Sequence, residues 1–288
     1  DYKKIFLVTE ELNYVNKLKQ KYKDEICFYN SYRSKKPDIF ENTRKNHRFL
    51  IGKENIIDLL NNLNEDKNFI GGAVAVPYKE DIAYWLGESI SIEAKKIGAV
   101  NCLYRDYQGK LKGTNTDGEG ALEPIAKILD GKQPLKIGLV GYGGAGKAIA
   151  GFLQQYKDKH EILLFNRTLP NKKFSDELEI NFIDLKELPS KIGQIDILIN
   201  ATSVGSQNNL NEKLIRREYL YKLKNSSLVY DIIYDPPETM LLRDSKEIGL
   251  NVINGMEMNL LQAVLAYKHT NNTTLSLEEL KVIMRSSD

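Results

Sequence analysis

Short β-prone runs alternate with helical segments over residues 135–255 and predict an α/β protein with a doubly wound, Rossmann-like parallel sheet. A glycine-rich turn joins the first of these strands to a helix, as expected for such a sheet. The 288 residues are long for one domain and sufficient for two, at roughly 100–200 residues each. We therefore expect this sheet domain together with a second, smaller α/β domain in the first part of the chain.

Composition and charge exclude several classes of protein. The 41 Lys and Arg residues nearly balance the 39 Asp and Glu residues, so the basic excess of a duplex-binding protein is missing. No apolar run approaches the ~18–20 residues that a membrane span needs. The first residues lack the apolar core of a signal peptide, so we expect a cytoplasmic protein. Two Cys and three scattered His residues predict neither a disulfide framework nor a metal site.

The first 115 residues combine strand and helix patterns without a repeat. Residues 30–48 are polar and show no clear period. Runs with strand character are Lys4 to Val8, Glu25 to Tyr29 and Ile70 to Pro77. Segments with helical spacing are Leu12 to Tyr22 and Ile56 to Leu63.

The second part of the chain continues as strand–helix units. Its predicted strands are Leu135 to Val140, Glu161 to Phe165, Asp196 to Asn200, Ser227 to Ile233 and Leu250 to Ile253. Its predicted helices are Lys147 to Leu153, Thr239 to Gly249, and Thr274 to Met284 with a capping box at Ser276 and Glu279. Parallel strands end at one edge of a sheet, so the turns at 141–146, 166–168, 201–205, 232–236 and 255 should face one cleft.

The glycine turn after the first of these strands has the spacing of a dinucleotide-binding fingerprint. Gly141 permits the tight turn, Gly143 lets the backbone approach a pyrophosphate, and Gly146 allows close packing of helix against strand. The helix N-terminus then offers free N–H groups to phosphate. We interpret the turn as a nucleotide site; a purely structural tight turn is the alternative.

The turn after the next strand indicates which dinucleotide binds. NAD-specific folds place an acidic residue there for the ribose 2′-hydroxyl. This chain has Asn166-Arg167-Thr168 instead, and a guanidinium can pair with a 2′-phosphate. The sequence therefore favours NADP over NAD, unless Arg167 is an ordinary solvated loop residue.

Three polar residues of the first part adjoin apolar or glycine-rich segments. Lys79 follows a strand stopped by proline, Asn101 follows Gly98-Ala99-Val100, and Asp117 begins a helical pattern. Each has a simple structural explanation, respectively a solvated turn residue, a turn former and a helix N-cap. In isolation these residues do not establish chemistry.

Together, the motifs resemble the shikimate dehydrogenase family, including its quinate/shikimate relatives, over roughly residues 72–263. The matching segments, in chain order, are Val74-Ala75-Val76-Pro77-Tyr78-Lys79, Gly98-Ala99-Val100-Asn101-Cys102, Gly113-Thr114-Asn115-Thr116-Asp117-Gly118, Gly141 to Ala145, Asn166-Arg167-Thr168, Asn200 to Gly205, Asp231-x-x-Tyr234-x-Pro236 and Gly255-Met256-x-Met258-x-x-x-Gln262-Ala263.

The resemblance implies an NADP-dependent oxidoreductase of aromatic amino acid (chorismate) biosynthesis that interconverts 3-dehydroshikimate and shikimate by hydride transfer. It implies a substrate-binding and catalytic domain over 1–114, an NADP-binding domain over 115–255, helices over 256–288 that pack back on the first domain, and an active site in the cleft. Lys79 and Asp117 would form the catalytic dyad that handles the proton. Such a protein binds a small-molecule substrate rather than nucleic acid or membrane, needs no metal, and is expected to be a monomer or homodimer.

The resemblance also assigns binding residues. The substrate contacts it implies are Asn101, Gln262, Tyr234 and Ser34. The cofactor contacts it implies are Gly141, Gly143, Gly144, Ala145, Gly146, Asn166, Arg167, Thr168, Thr202, Ser203, Val204, Ile232, Gly255 and Met258.

The substrate segment departs from the family pattern. The nearest match to the family's two-serine motif keeps Ser34 and has Lys36 at the other position, and the polar pair of its N-V-T strand is here Ala73 and Ala75. Losing hydrogen bonds to a carboxylate costs ~1.5–3 kcal/mol each. Two alternatives follow: a dehydrogenase for a related cyclohexane carboxylate of quinate or aminoshikimate type, or a nucleotide-binding pseudoenzyme or metabolite sensor. The chain could also be one domain of a longer multifunctional protein.

Overall fold

A computed structural model describes residues 4–6, 26–27, 53–67, 69–74, 78–170, 180–271 and 273–285. The chain divides into two compact units, Asp1–Asn115 with Ala266–Thr274, and Thr116–Leu265 with Leu275–Asp288. The domain boundaries expected from the sequence stay a prediction. The predicted helix over 12–22 and the irregular segment over 30–48 lie outside the described residues.

The first unit contains a five-stranded sheet of order β2-β1-β3-β4-β5. The first three strands run parallel to one another, and β4 and β5 are antiparallel to their neighbours. The strands are β1 (Lys4–Phe6), β2 (Ile26–Cys27), β3 (Phe69–Ala73), β4 (Cys102–Arg105) and β5 (Leu111–Thr114). The strand expected over 70–77 thus ends at residue 73, and residues 75–77 are not described.

Among the described residues, three α-helices pack against this sheet around a small apolar core. They are α1 (Lys53–Glu65), α2 (Lys79–Leu86) and α3 (Ile92–Ile97). Leu60, Phe69 and Val100 are almost fully buried in the core between helices and sheet. Burial of these side chains is the main favourable term that holds the helices on the sheet.

The second unit contains a six-stranded sheet in which every strand is parallel to its neighbours. Its order is β11-β10-β9-β6-β7-β8, so the chain reverses direction across the sheet between β6 and β9. This is the Rossmann order 3-2-1-4-5-6, and the predicted fold class is confirmed. The strands are β6 (Lys136–Val140), β7 (Glu161–Asn166), β8 (Asn181–Asp184), β9 (Ile197–Asn200), β10 (Leu228–Asp231) and β11 (Asn251–Ile253).

Apolar clusters cover both faces of the parallel sheet, as the connecting helices require. Two helices begin at capping signals: Thr239 caps the helix Met240–Glu247 through its hydroxyl, and Ser276 and Glu279 form the predicted capping box of the helix Leu277–Arg285. The helices are α4 (Asp117–Leu122), α5 (Ala126–Leu129), α6 (Gly144–Leu153), α7 (Leu188–Lys191), α8 (Arg217–Leu220), α9 (Met240–Glu247), α10 (Met256–Thr270) and α11 (Leu277–Arg285).

Arg105 at the end of β4 ties together the loop between α1 and β3. Its Nε donates to Phe69 O at 2.7 Å, and its Nη2 donates to the carbonyls of Leu63, Asn64 and Asp66 at 2.8, 2.9 and 3.1 Å. Carbonyls at a helix C-terminus have no partner within the helix, and a cation is favourable there. The guanidinium therefore fixes the end of α1 against the sheet.

We expect Arg105→Lys to lower the free energy of unfolding by about 2–3 kcal/mol. A lysine ammonium cannot donate to all of these carbonyls at once as the planar guanidinium does, so charge-assisted hydrogen bonds are lost. Urea unfolding followed by circular dichroism measures the change. The matched control is Arg216→Lys, whose side chain is 67% exposed and should change stability little. Equal losses in both variants would contradict the role of Arg105.

Candidate active site

The glycine turn after β6 brings backbone segments closer than a side chain allows. A Cβ at Gly146 would lie 2.2 Å from Gly141 O, and one at Gly141 would lie 2.8 Å from Thr202 Cγ2. Gly141 also has φ +98°, which favours glycine. In contrast, no other atom of the described residues lies within 4 Å of a Cβ built at Gly143 or Gly144. The tight part of the turn is thus structural, and the open part leaves room for a ligand.

The N-terminus of α6 faces this open part of the turn. Gly143 occupies the N-cap position, and no side chain of the described residues caps the helix. The first N–H groups of a helix point along its axis and carry the positive end of the helix dipole. An uncapped, ten-residue helix after a glycine turn suits the pyrophosphate of a dinucleotide.

The turn after β7 lies at the same edge of the sheet. Gly141 N donates to Phe165 O at 2.8 Å, so the glycine turn adjoins the residue before Asn166. Asn166 Nδ2 donates to Thr168 O at 2.8 Å and closes this turn, while Arg167 and Thr168 are exposed. An exposed guanidinium beside the glycine turn can pair with a phosphate.

A buried polar network fixes the turns after β9 and β10. Asn200 Nδ2 donates to Asp231 Oδ1 at 3.0 Å, and Thr239 Oγ1 donates to Asp231 Oδ2 at 2.7 Å. Asn200 Oδ1 accepts a bond from Thr202 Oγ1 at 2.7 Å. Burial raises the pKa of Asp231, and its hydrogen bonds to Thr239, Ile233 and Asn200 oppose that shift. The network fixes the turns after β9 and β10 relative to each other.

Sequence reasoning assigned no role to Thr239 or to the Asn200–Asp231 bond. The two bonded residues are 31 positions apart, so no local pattern links them. The available signal was Thr239 at the start of a predicted helix, which marks an N-cap but not its bond to Asp231.

The last turns of the predicted cleft also meet at the backbone. A Cβ at Gly255 would lie 1.8 Å from Ile232 O, and Gly255 N donates to Ile233 O at 3.0 Å. Tyr234 is 54% exposed at this edge. Met258 lies in the apolar core cluster of the second unit. Of the turn residues with expected cofactor roles, Ser203 is exposed, and Thr202, Val204 and Ile232 are half-buried.

Asp117 is held in the second unit by two glycines that follow it. A Cβ at Gly118 would lie 2.7 Å from Ala148 O in α6, and one at Gly120 would lie 3.0 Å from Gln262 N in α10. Asp117 is buried at the start of α4. Its neighbour Thr116 donates through Oγ1 to the Gln262 carbonyl at 3.0 Å. The structure therefore brings Asp117 and Gln262 onto two helices in backbone contact.

In the first unit, the backbone of Lys79 is bonded to Val100, the residue before Asn101. Lys79 is the first residue of α2, and its carbonyl accepts a bond from Val100 N at 2.9 Å. Asn101 is buried, its N–H donates to Thr114 O at 3.1 Å, and its carbonyl accepts from Val74 N at 2.7 Å. Strand ends on both sides thus anchor Asn101. Ser34 lies outside the described residues.

The described ranges contain neither a candidate metal cluster nor a helix suited to span a membrane. There, no group of three or more His, Cys, Asp or Glu side chains could hold a metal ion. Likewise, none of the helices described is long and apolar enough to cross a bilayer.

Two family models match the chain. The model described as "Shikimate dehydrogenase substrate binding domain" matches residues 38–103. The model described as "Shikimate / quinate 5-dehydrogenase" matches residues 124–236.

Relatives at moderate identity carry the same name. A "Shikimate dehydrogenase (NADP(+))" of Pyrococcus abyssi is 37% identical over 68% of this chain and 70% of its own length. One of Methanocaldococcus jannaschii is 32% identical over 74% of this chain and 76% of its own length.

Solved structures agree with these relatives. Shikimate 5-dehydrogenase of Thermus thermophilus, in complex with NADP(H) and shikimate, has a TM-score of 0.63 and 27% identity, covering 79% of this chain and 83% of that one. Shikimate dehydrogenase 1 of Peptoclostridium difficile has a TM-score of 0.66 and 26% identity, covering 99% of this chain and 97% of that one.

The two kinds of glycine in the turn give a matched pair of variants. We expect Gly146→Ala to lose about 2 kcal/mol or more of stability, because its Cβ would overlap a backbone carbonyl. Gly143→Ala should keep wild-type stability, since its Cβ meets open space, and should weaken NADP⁺ binding because that space is needed by the ligand. Differential scanning calorimetry and titration calorimetry measure the two effects. Equal loss of stability in both variants would contradict this division of roles.

Proposed function

This chain belongs to the shikimate dehydrogenase family, and from that premise we propose that it interconverts 3-dehydroshikimate and shikimate with NADP as cofactor. The chain is an oxidoreductase of this family and uses NADP. The observation that carries the proposal is the placement of Asp117 and Gln262 on helices in backbone contact, with the first of these helices packed against the dinucleotide helix α6.

Oxidation of a secondary alcohol needs a hydride acceptor and a group that takes the hydroxyl proton. NADP⁺ supplies the hydride acceptor when bound. We assign the proton to Lys79 and Asp117 as a dyad, because an amine and a carboxylate can each take or return a proton in general acid–base catalysis. In the reverse direction the same pair returns the proton to the carbonyl oxygen.

Local anchoring supports the dyad. Val100 N holds the Lys79 carbonyl, and the next residue, Asn101, is bonded to Thr114 O. Only two residues separate Thr114 from Asp117, so the chain itself keeps Asp117 within about 11 Å of that strand end. Lys79 and Asn101 thus share backbone anchoring within the first unit.

Asn101 and Gln262 are proposed to hold the substrate hydroxyls. Amides both donate and accept, which suits hydroxyl groups. The backbone of Asn101 is bonded on both sides to strand ends, and the backbone of Gln262 is bonded to Thr116. Arg167, exposed beside the glycine turn, is proposed to bind the 2′-phosphate of NADP.

A related cyclohexane carboxylate, such as quinate, is the second candidate substrate. Ala73, exposed at the end of β3, stands where the family pattern has a polar residue, so the carboxylate grip differs from that pattern. The choice between the two substrates is made by comparing their turnover.

The test measures formation of NADPH or NADH by absorbance with shikimate and with quinate. We expect turnover with shikimate and NADP⁺, and Lys79→Met or Asp117→Asn should lower kcat by about 10²- to 10⁴-fold. Matched controls are Lys110→Met and Glu119→Gln, both exposed and in the same units as the residues they control.

Wild-type turnover in the Lys79 and Asp117 variants would overturn the dyad. NADP⁺ binding without turnover of either acid would overturn the enzymatic proposal and leave a nucleotide-binding sensor.

A further inference from the structure

Lys281 of α11 is a buried cation surrounded by carboxylates. Its side chain is only 7% exposed, and its Nζ lies 3.7 Å from Glu123 Oε1 and 3.9 Å from Glu257 Oε1. It also pairs with Glu278 on its own helix. A buried ammonium is unfavourable unless it is paired. These partners therefore determine where the Lys281 side chain can lie.

Two of the carboxylates belong to helices that carry proposed site residues. Glu123 begins the 3₁₀ turn Glu123–Ile125, which continues directly from α4. Glu257 is the second residue of α10. Without a cation, the carboxylates of Glu123 and Glu257 would repel each other. The ammonium of Lys281 attracts both, so the net electrostatic interaction among the three groups is favourable. Lys281 thus holds the end of α4 to the beginning of α10.

The remaining contacts between α4, α10 and the sheet beneath them are mainly apolar. Ala121, Leu122 and Met258 pack in one cluster with Tyr230 of β10. The hydroxyl of Tyr230 is buried and has no hydrogen-bond partner among the described residues. Since apolar contacts are non-directional, they do not fix how α4 and α10 slide along each other.

Polar ties occur at two places along the α4–α10 pair. The Thr116 hydroxyl bonds to the Gln262 carbonyl beside Asp117. Lys281 bridges Glu123, just past the other end of α4, and Glu257, in the first turn of α10. Together, the two polar links prevent α4 from sliding along α10. With only one of them, α4 could rotate about its contact with α10 at Gly120.

We propose that Lys281 is a positioning residue for the reaction, which fixes the spacing between Asp117 and Gln262 by holding α4 to α10. This inference rests on the proposed roles of Asp117 and Gln262. Lys281 touches neither substrate nor cofactor, and it acts through the two helices.

The first test compares Lys281→Met with Arg285→Met. Arg285 lies on the same helix and pairs with Glu257 at 2.5 and 2.6 Å, so its loss leaves the bridge to Glu123 in place. We expect Lys281→Met to lower kcat/KM for shikimate by about 10- to 100-fold, the scale of a small misplacement of reacting groups. KM for NADP⁺ should change less than about twofold, since the glycine turn is not part of the bridge. Lys281→Arg should restore most of the activity.

A double-mutant cycle separates positioning from general loss of stability. In a Gln262→Ala background, Lys281→Met should have a smaller effect on kcat/KM for shikimate, because the residue that it positions is gone. The same fold-loss in both backgrounds would overturn the proposal.

Hydrogen exchange tests the positioning without reference to activity. In Lys281→Met the amides of α4 and of the first turns of α10 should exchange faster, and those of β6 and β7 should be unchanged. If Lys281→Met does not fold, Glu123→Gln removes one side of the bridge and should show a smaller shift of the same kind. Unchanged exchange in these helices overturns the proposal, whereas absent shikimate turnover in the wild type overturns only the proposed function.

Discussion

The close approach of α4 to α6 and α10 is the constraint on which the proposed site depends. A Cβ at Gly118 would lie 2.7 Å from Ala148 O, and one at Gly120 would lie 3.0 Å from Gln262 N. Backbones packed this closely transmit small displacements, because protein interiors have little free volume. The beginning of α4 is therefore held close to α6 at Ala148 and to α10 at Gln262, and the position of Asp117 depends on both contacts.

The parallel sheet supplies the rest of the arrangement. All strands of the parallel sheet end at one edge. This topology alone brings together four turns: the glycine turn, the turn bearing Arg167, and the turns after β9 and β10. The buried Asn200–Asp231 hydrogen bond then fixes the turn after β9 relative to the turn after β10. Preorganised backbone donors cost little reorganisation when a charged ligand binds, which is why such an edge suits a dinucleotide.

The sequence predicted those features that have local causes. The glycine spacing predicted the turn at Gly141 and Gly146, because only glycine fits there. The pair Ser276 and Glu279 predicted the beginning of α11. The Asn200–Asp231 bond and the bridge made by Lys281 join residues that are far apart in the chain, so periodicity and spacing carried no sign of them. The resemblance supplied roles for Asp117 and Gln262, and the structure adds the packing that holds their helices together.

The most direct test of this constraint is the turnover number of Gly118→Ala with shikimate at saturating NADP⁺. Glu119→Ala, exposed on the same helix, is the matched control. We expect Gly118→Ala to lower kcat by about tenfold or more. Its Cβ would push α4 away from Ala148 and so displace the carboxylate of Asp117. A Gly118→Ala protein with the kcat and melting temperature of the wild type would contradict the claim that this backbone contact positions the site.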